Sequence, residues 1–241
     1  MSALQIILIC ICAVLAIGFI VARVLKGGIL GVLIKTLASF GFVSSGVIGI
    51  VVSDISTNYK WVLGLIVIGL LLGMIGDIVL DLKVVYEGND KYYLNAGMLS
   101  FFLGHVCYIV AFSLWADPIQ RYTSAMSIVD LLMISAGIAT ILTVGITLSS
   151  KKMGLKFGSY LFQTIAYSFI LTFTAAYALL LSIFGCGLWL AFVGLLLFFL
   201  SDIVLSFQYF GDKLNNKLLI VLNHALYYAA QIILLAVIFV L

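Results

Sequence analysis

Runs of about twenty apolar residues narrow the folds open to this chain, because in hydrocarbon only helices and closed barrels satisfy every backbone N–H and C=O. Eight such runs occur, at roughly 3–25, 28–52, 61–82, 93–116, 126–148, 158–183, 187–207 and 217–240. Barrel strands alternate apolar and polar positions, whereas a run such as Leu65 to Leu72 is apolar on every side. The predicted fold class is therefore an all-α polytopic membrane protein with eight transmembrane helices, and residues 1–241 form a single transmembrane domain. With 65% hydrophobic and 9% charged residues, the chain could not cover a water-soluble surface. No basic segment precedes the first run and no convincing cleavage site follows it, so that run is expected to stay as a helix. The single proline, Pro118, is expected in a loop, leaving every span unbroken.

Charge gives the orientation, since lysine and arginine in short loops stay on the cytoplasmic side. Loops one, three, five and seven hold Arg23, Lys26, Lys83, Lys91, Lys151, Lys152, Lys156, Lys213 and Lys217. Loops two and four hold Lys60 and Arg121, and loop six has no basic residue. Odd loops are thus predicted cytoplasmic and both termini outside, as in a multi-pass protein of a bacterial cell membrane. The net charge of +3 is spread thinly, with no basic run for nucleic acid. The four cysteines lack metal-type spacing and read as reduced thiols in apolar surroundings.

Within the apolar runs a string repeats. Asp77-Ile78-Val79-Leu80 returns as Asp202-Ile203-Val204-Leu205, and one run later His105-x-x-Tyr108 returns as His224-x-x-Tyr227. The predicted helices three and seven run in the same direction, so two parallel four-helix repeats are expected, with halves of roughly 1–120 and 121–241. On that symmetry Asp77 and Asp202 face each other and both histidines, the only two in the chain, join them. Acids inside transmembrane helices are costly and face a partner or a wet cavity, which marks Asp77 and Asp202 as functional candidates.

Other polar positions divide into several kinds. Helix one carries no charge from Leu4 to Val21 and is expected to be peripheral, with no chemical role. Lys35 either snorkels to the headgroups or offers its ammonium to an acidic headgroup or an intramembrane carboxylate. Asp81, at i+4 from Asp77, and Asp130 read as interfacial acids. Tyr160, Thr164, Tyr167, Thr174 and Tyr177 keep one face of helix six and are expected to line a cavity. Helix eight is the most polar, with His224, Tyr227, Tyr228 and Gln231 on one face and Asn223 beside them.

The motifs Gly76-Asp77-x-x-Leu80 and Gly97-x-x-Ser100-Phe101-x-x-Gly104-His105-x-x-Tyr108 resemble those of the YhhN-like family of membrane lysoplasmalogenases. Gly194-Leu-Leu-Leu-Phe198-Phe-Leu-Ser201-Asp202 and Tyr227-Tyr228-x-x-Gln231 resemble the closing motifs of that family, and Lys35 resembles its basic residue in the second span. Thr36 follows Lys35 where the family pattern usually has proline. The resemblance implies hydrolysis of the vinyl ether bond of lysoplasmalogens to a fatty aldehyde and glycerophosphoethanolamine or glycerophosphocholine. The implied partners are a lysophospholipid substrate and membrane lipid, and no cofactor or metal is required.

Two carboxyls suit that chemistry, one giving a proton to the β-carbon and the other staying ionised beside the oxocarbenium ion, in the manner of glycoside hydrolysis. Either aspartate could be the acid at this stage. On this reading His105 and His224 complete the catalytic group. With Tyr108 and Tyr227 they orient the acids or relay protons. Lys35, Asn223 and Gln231 meet the phosphate and glycerol, and Tyr108, Tyr227 and Tyr228 contact the substrate. Two alternatives use the same residues. The two histidines and two aspartates could bind zinc in a hydrolase, or the paired acids could serve a proton-coupled transporter.

Overall fold

The computed structural model describes residues 1–26, 28–53, 55–83, 86, 88, 90–123, 126–211, 213 and 216–241. The side chains at 58 and 120–123 are outside that description, so Arg121 of the predicted outer loop four is not placed. Among the described residues, eight helices are long and apolar enough to cross a membrane: α1 (Ala3–Leu25), α2 (Gly28–Val52), α3 (Thr57–Leu82), α4 (Asp90–Thr123), α5 (Ile128–Ser150), α6 (Leu161–Ile183), α7 (Trp189–Phe210) and α8 (Lys217–Val240). This is the all-α polytopic membrane fold that the apolar runs predict.

Local chemistry sets several helix starts. Ser2 and Gln5 form a capping box on α1, and Ser127 and Asp130 form one on α5. Asp130 is thus a cap that satisfies the first turn. Asn216 opens α8 by accepting the amides of Leu218 and Leu219. The expectation for Pro118 is corrected, because it lies inside α4, which runs further at both ends than its apolar stretch. Proline removes its own N–H and crowds one carbonyl, a loss that a long membrane helix absorbs locally near its end.

Two pairs of helices pack in a similar way. Helix α3 lies along α4, and α7 along α8. Ser100 of α4 donates to the carbonyl of Leu72, and Ser201 of α7 donates to that of Asn223. Small residues let the hairpins close. A Cβ on Gly104 would stand 3.1 Å from the Gly69 carbonyl oxygen, and one on Gly194 would stand 3.3 Å from that of Ala230. Helices α1, α2, α3, α4, α6, α7 and α8 form a closed ring of neighbours, with α5 outside against α6.

The symmetry fails in one respect that matters. Helix α8 packs closely on α3, but its counterpart α4 keeps its backbone away from α7: no Cα atoms of those two helices come within 8 Å among the described residues, and rings such as those of Phe101 and His105 reach across to Phe198. A space between α3, α4, α6 and α7 is left over.

Candidate active site

Asp77, in the last two turns of α3, is buried at 2% exposure. Its Oδ2 accepts hydrogen bonds from Ser39 of α2 at 2.7 Å and Tyr227 of α8 at 2.8 Å, and its Oδ1 lies 3.2 Å from the Lys35 ammonium. Lys35 also pairs with Asp81 Oδ1 at 3.3 Å, and Asp81 Oδ2 lies 3.4 Å from the Arg23 guanidinium. Four charges from three helices therefore alternate in sign through the interior. Lys35 does not snorkel but binds intramembrane carboxylates. Asp81 is not interfacial, being 3% exposed. The expectation that α1 carries no chemistry also fails: most of its outer face is apolar and exposed, but Arg23 in its last turn reaches this network.

Asp202, on α7, is held differently. Its Oδ2 accepts the hydroxyl of Tyr167 from α6 at 2.5 Å. Helix α6 stands to α7 as α2 stands to α3, so the second acid is reached from the equivalent helix by another residue type. Asp202 lies in the shared wall of two cavities. One, of about 480 Å³, is polar and is lined by Arg23, Lys35, Asp77, Asp81, Asn223 and His224 among others. The other, of about 650 Å³, is the space between α4 and α7 and is apolar, with Met98, Ile146, Leu171 and Phe199 in its walls. Leu80, Phe101, Leu205 and Tyr209 complete the shared wall.

The remaining sequence candidates separate. His224 lines the polar cavity, its ring edge-on to Phe19 at 4.8 Å. Asn223 lines it too, and its Nδ2 donates to the backbone oxygen of Ser201 at 2.9 Å, tying α8 to α7. The Tyr228 hydroxyl lies 3.3 Å from Ser39 Oγ, behind Asp77. Gln231 is fully buried beside Gly73. His105 stands apart from both cavities, edge-on to Phe198 at 5.0 Å and to Tyr108, and both of its ring nitrogens are buried without a partner. Tyr108 is buried, stacked on Phe112 and pressed against Gly69. The sequence repeat suggested that His105 and Tyr108 would join the acids as His224 and Tyr227 do, and the distance between the α4 and α7 backbones is why they do not. Among the described residues, no three His, Cys, Asp or Glu side chains gather where they could hold a metal ion.

The model of the YhhN family matches residues 30–238. The chain belongs to the YhhN family. No curated protein and no solved structure matches it. The YhhN segment takes in Asp77, Asp202, Lys35, Tyr167 and the polar face of α8, but begins after Arg23. Arg23 and Asp81 are the site-lining charges that sequence reasoning passed over. The i+4 spacing from Asp77 to Asp81 was a usable signal, whereas Arg23 was indistinguishable from a loop charge.

Proposed function

We propose that this YhhN protein is a lysoplasmalogenase, hydrolysing the vinyl ether of a 1-alkenyl lysophospholipid to a fatty aldehyde and the glycerophospho-base. The observation that carries the reading is the place of Asp202 in the common wall of an apolar and a polar cavity. A lysolipid lying across that wall has its chain on one side, its phosphate near Arg23 and Lys35 on the other, and its vinyl ether at the carboxyl.

The charges of the polar cavity balance without Asp202. Asp77 and Asp81 are matched by Lys35 and Arg23. A further unpaired charge in this interior would be costly, which leaves Asp202 as the carboxyl that carries a transferable proton. Tyr167 occupies Oδ2, so the proton sits on Oδ1. Asp202 gives it to the β-carbon of the vinyl ether, and the electron pair of the double bond forms the new C–H bond. The positive charge spreads over the ether oxygen and the adjacent carbon, and the fixed carboxylate of Asp77 stabilises it. Water adds to that carbon and returns a proton to Asp202. The hemiacetal then breaks its bond to the glycerol oxygen, which takes up the hydroxyl proton, and aldehyde and glycerophospho-base leave. His224, in the wall of the polar cavity, is placed to pass protons between water and the acids. His105 and Tyr108, outside both cavities, take no part in these steps. With odd loops cytoplasmic and both termini outside, the polar cavity lies in the cytoplasmic half of the membrane.

The test is aldehyde formation by purified protein in detergent from 1-alkenyl lysophospholipid, with 1-acyl lysophospholipid and diacyl phospholipid as controls. Release from the vinyl ether alone is expected. In heavy water, the aldehyde should gain one deuterium on the carbon next to its carbonyl. Absence of aldehyde from a monodisperse sample would overturn the reading.

A further inference from the structure

We infer that the seam between the first turns of α4 and α6 is a lateral portal through which a single-chain lipid passes from the bilayer into the apolar cavity. The inference rests on the proposed lipid hydrolysis and adds where the substrate comes from.

Three observations point to it. First, a groove of about 560 Å³ opens along this seam and leads inward. Met98 and Tyr167 line both the groove and the apolar cavity, and Tyr167 is the residue that bonds Asp202. Groove, apolar cavity and polar cavity therefore adjoin in series, divided only by shared side chains, with Asp202 in the last common wall. At the outer end of the groove, Phe162 is 79% exposed and Leu99 58% exposed, so the mouth faces the hydrocarbon that surrounds the helices.

Second, the two helices are tied at one end only. Far from the groove, the Ser113 and Tyr177 hydroxyls are hydrogen-bonded at 2.8 Å, and Trp115 of α4 donates to the Cys186 carbonyl beyond α6 at 3.2 Å. At the groove no such link is made between the helices among the described residues, so this end is the one that can part.

Third, the groove holds two acceptors with nothing to accept. Asn95 and Gln163 both line it, and their amide oxygens, Oδ1 and Oε1, are buried without a hydrogen-bond partner. A buried unpaired acceptor is unfavourable, and a passing donor that reaches it relieves that cost. A lysolipid offers the free glycerol hydroxyl that a diacyl lipid has esterified, so the pair favours single-chain lipids at the threshold. The occupant is thus a lipid with one hydrocarbon chain and a hydroxyl near its headgroup.

The experiment compares two vinyl ether substrates in the full-length protein reconstituted into liposomes: a sixteen-carbon alkenyl lysophospholipid, which must leave the bilayer, and a water-soluble three-carbon analogue, which need not. Ala166→Trp fills the groove from α6. It should lower turnover of the long-chain substrate about tenfold or more and leave the short-chain rate within about twofold. A second variant, Asn95→Leu with Gln163→Leu, keeps the groove open but removes the acceptors, and should raise KM for the long-chain lysolipid without changing kcat. Unchanged long-chain turnover in Ala166→Trp, or equal loss on both substrates in a folded variant, would overturn the portal. If the wild-type protein released aldehyde from neither substrate, the failure would lie with the hydrolase reading instead.

Discussion

Tyrosine 167 holds the carboxyl of Asp202 and tyrosine 227 holds that of Asp77, and the contrast with Tyr108 shows how little a repeated motif fixes about a side chain. Tyr227 reaches an acid because α8 packs on α3. Tyr108 cannot do so because α4 stands away from α7. The histidines part in the same way: His224 borders a polar, charged cavity, and His105 lies among rings, its two nitrogens without a hydrogen-bond partner among the described residues. One assay on two variants tests this difference. Tyr167→Phe removes the hydrogen bond that orients the acid, so kcat should fall about tenfold to a hundredfold, the equivalent of about 1.4–2.7 kcal/mol. His105→Leu removes buried polar atoms that have no partner, so thermal stability should hold or rise, with aldehyde release near wild type. A collapse of activity in folded His105→Leu would place that histidine in the chemistry after all.

Among the helices, the α3–α4 pair carries the tightest packing, and its glycines are the reason. A methyl group on Gly69 would enter the ring of Tyr108, a side chain with no space to retreat into. Gly69→Ala should therefore lower stability by about 1–3 kcal/mol, the usual cost of overpacking. Adding Tyr108→Leu should recover a large part of that loss, measured as the midpoint of thermal unfolding in detergent. No recovery in the double variant would show that the glycine serves something other than that ring. At this scale most of the fold was legible, because a helix in hydrocarbon needs only length and apolarity. The acids on α3 and α7, Lys35 on α2 and the polar face of α8 were legible too, since a charge or amide inside such a run is conspicuous. The Arg23–Asp81 pair was not. Spacing along one helix shows which residues share a face, but not that an arginine one turn from the end of α1 turns inward to meet α3. Pro118 was misplaced for a related reason: hydropathy marks where the apolar part of α4 ends, not where its hydrogen bonds end.

Across the whole molecule, the useful property is an incomplete symmetry. Two similar hairpins, α3–α4 and α7–α8, each carry an aspartate of the Asp-Ile-Val-Leu string, but only Asp77 accepts a hydrogen bond from the hairpin of the other half. The enclosed one, Asp77, sits in a balanced ion network. The other borders a chamber that the distance between the α4 and α7 backbones leaves open. The two carboxyls therefore sit in different surroundings, the arrangement that the proposed acid-assisted cleavage of a vinyl ether needs. The central claim is that these two acids act together on that bond. The most direct measurement is single-turnover aldehyde release from 1-alkenyl lysophospholipid by the wild-type protein and by the Asp202→Asn and Asp77→Asn variants, at matched amounts of folded protein. The account predicts rapid release by the wild type and a loss of about a hundredfold or more in each variant, the range expected for removing a general acid or its electrostatic partner. Near-wild-type release by folded Asp202→Asn would contradict it.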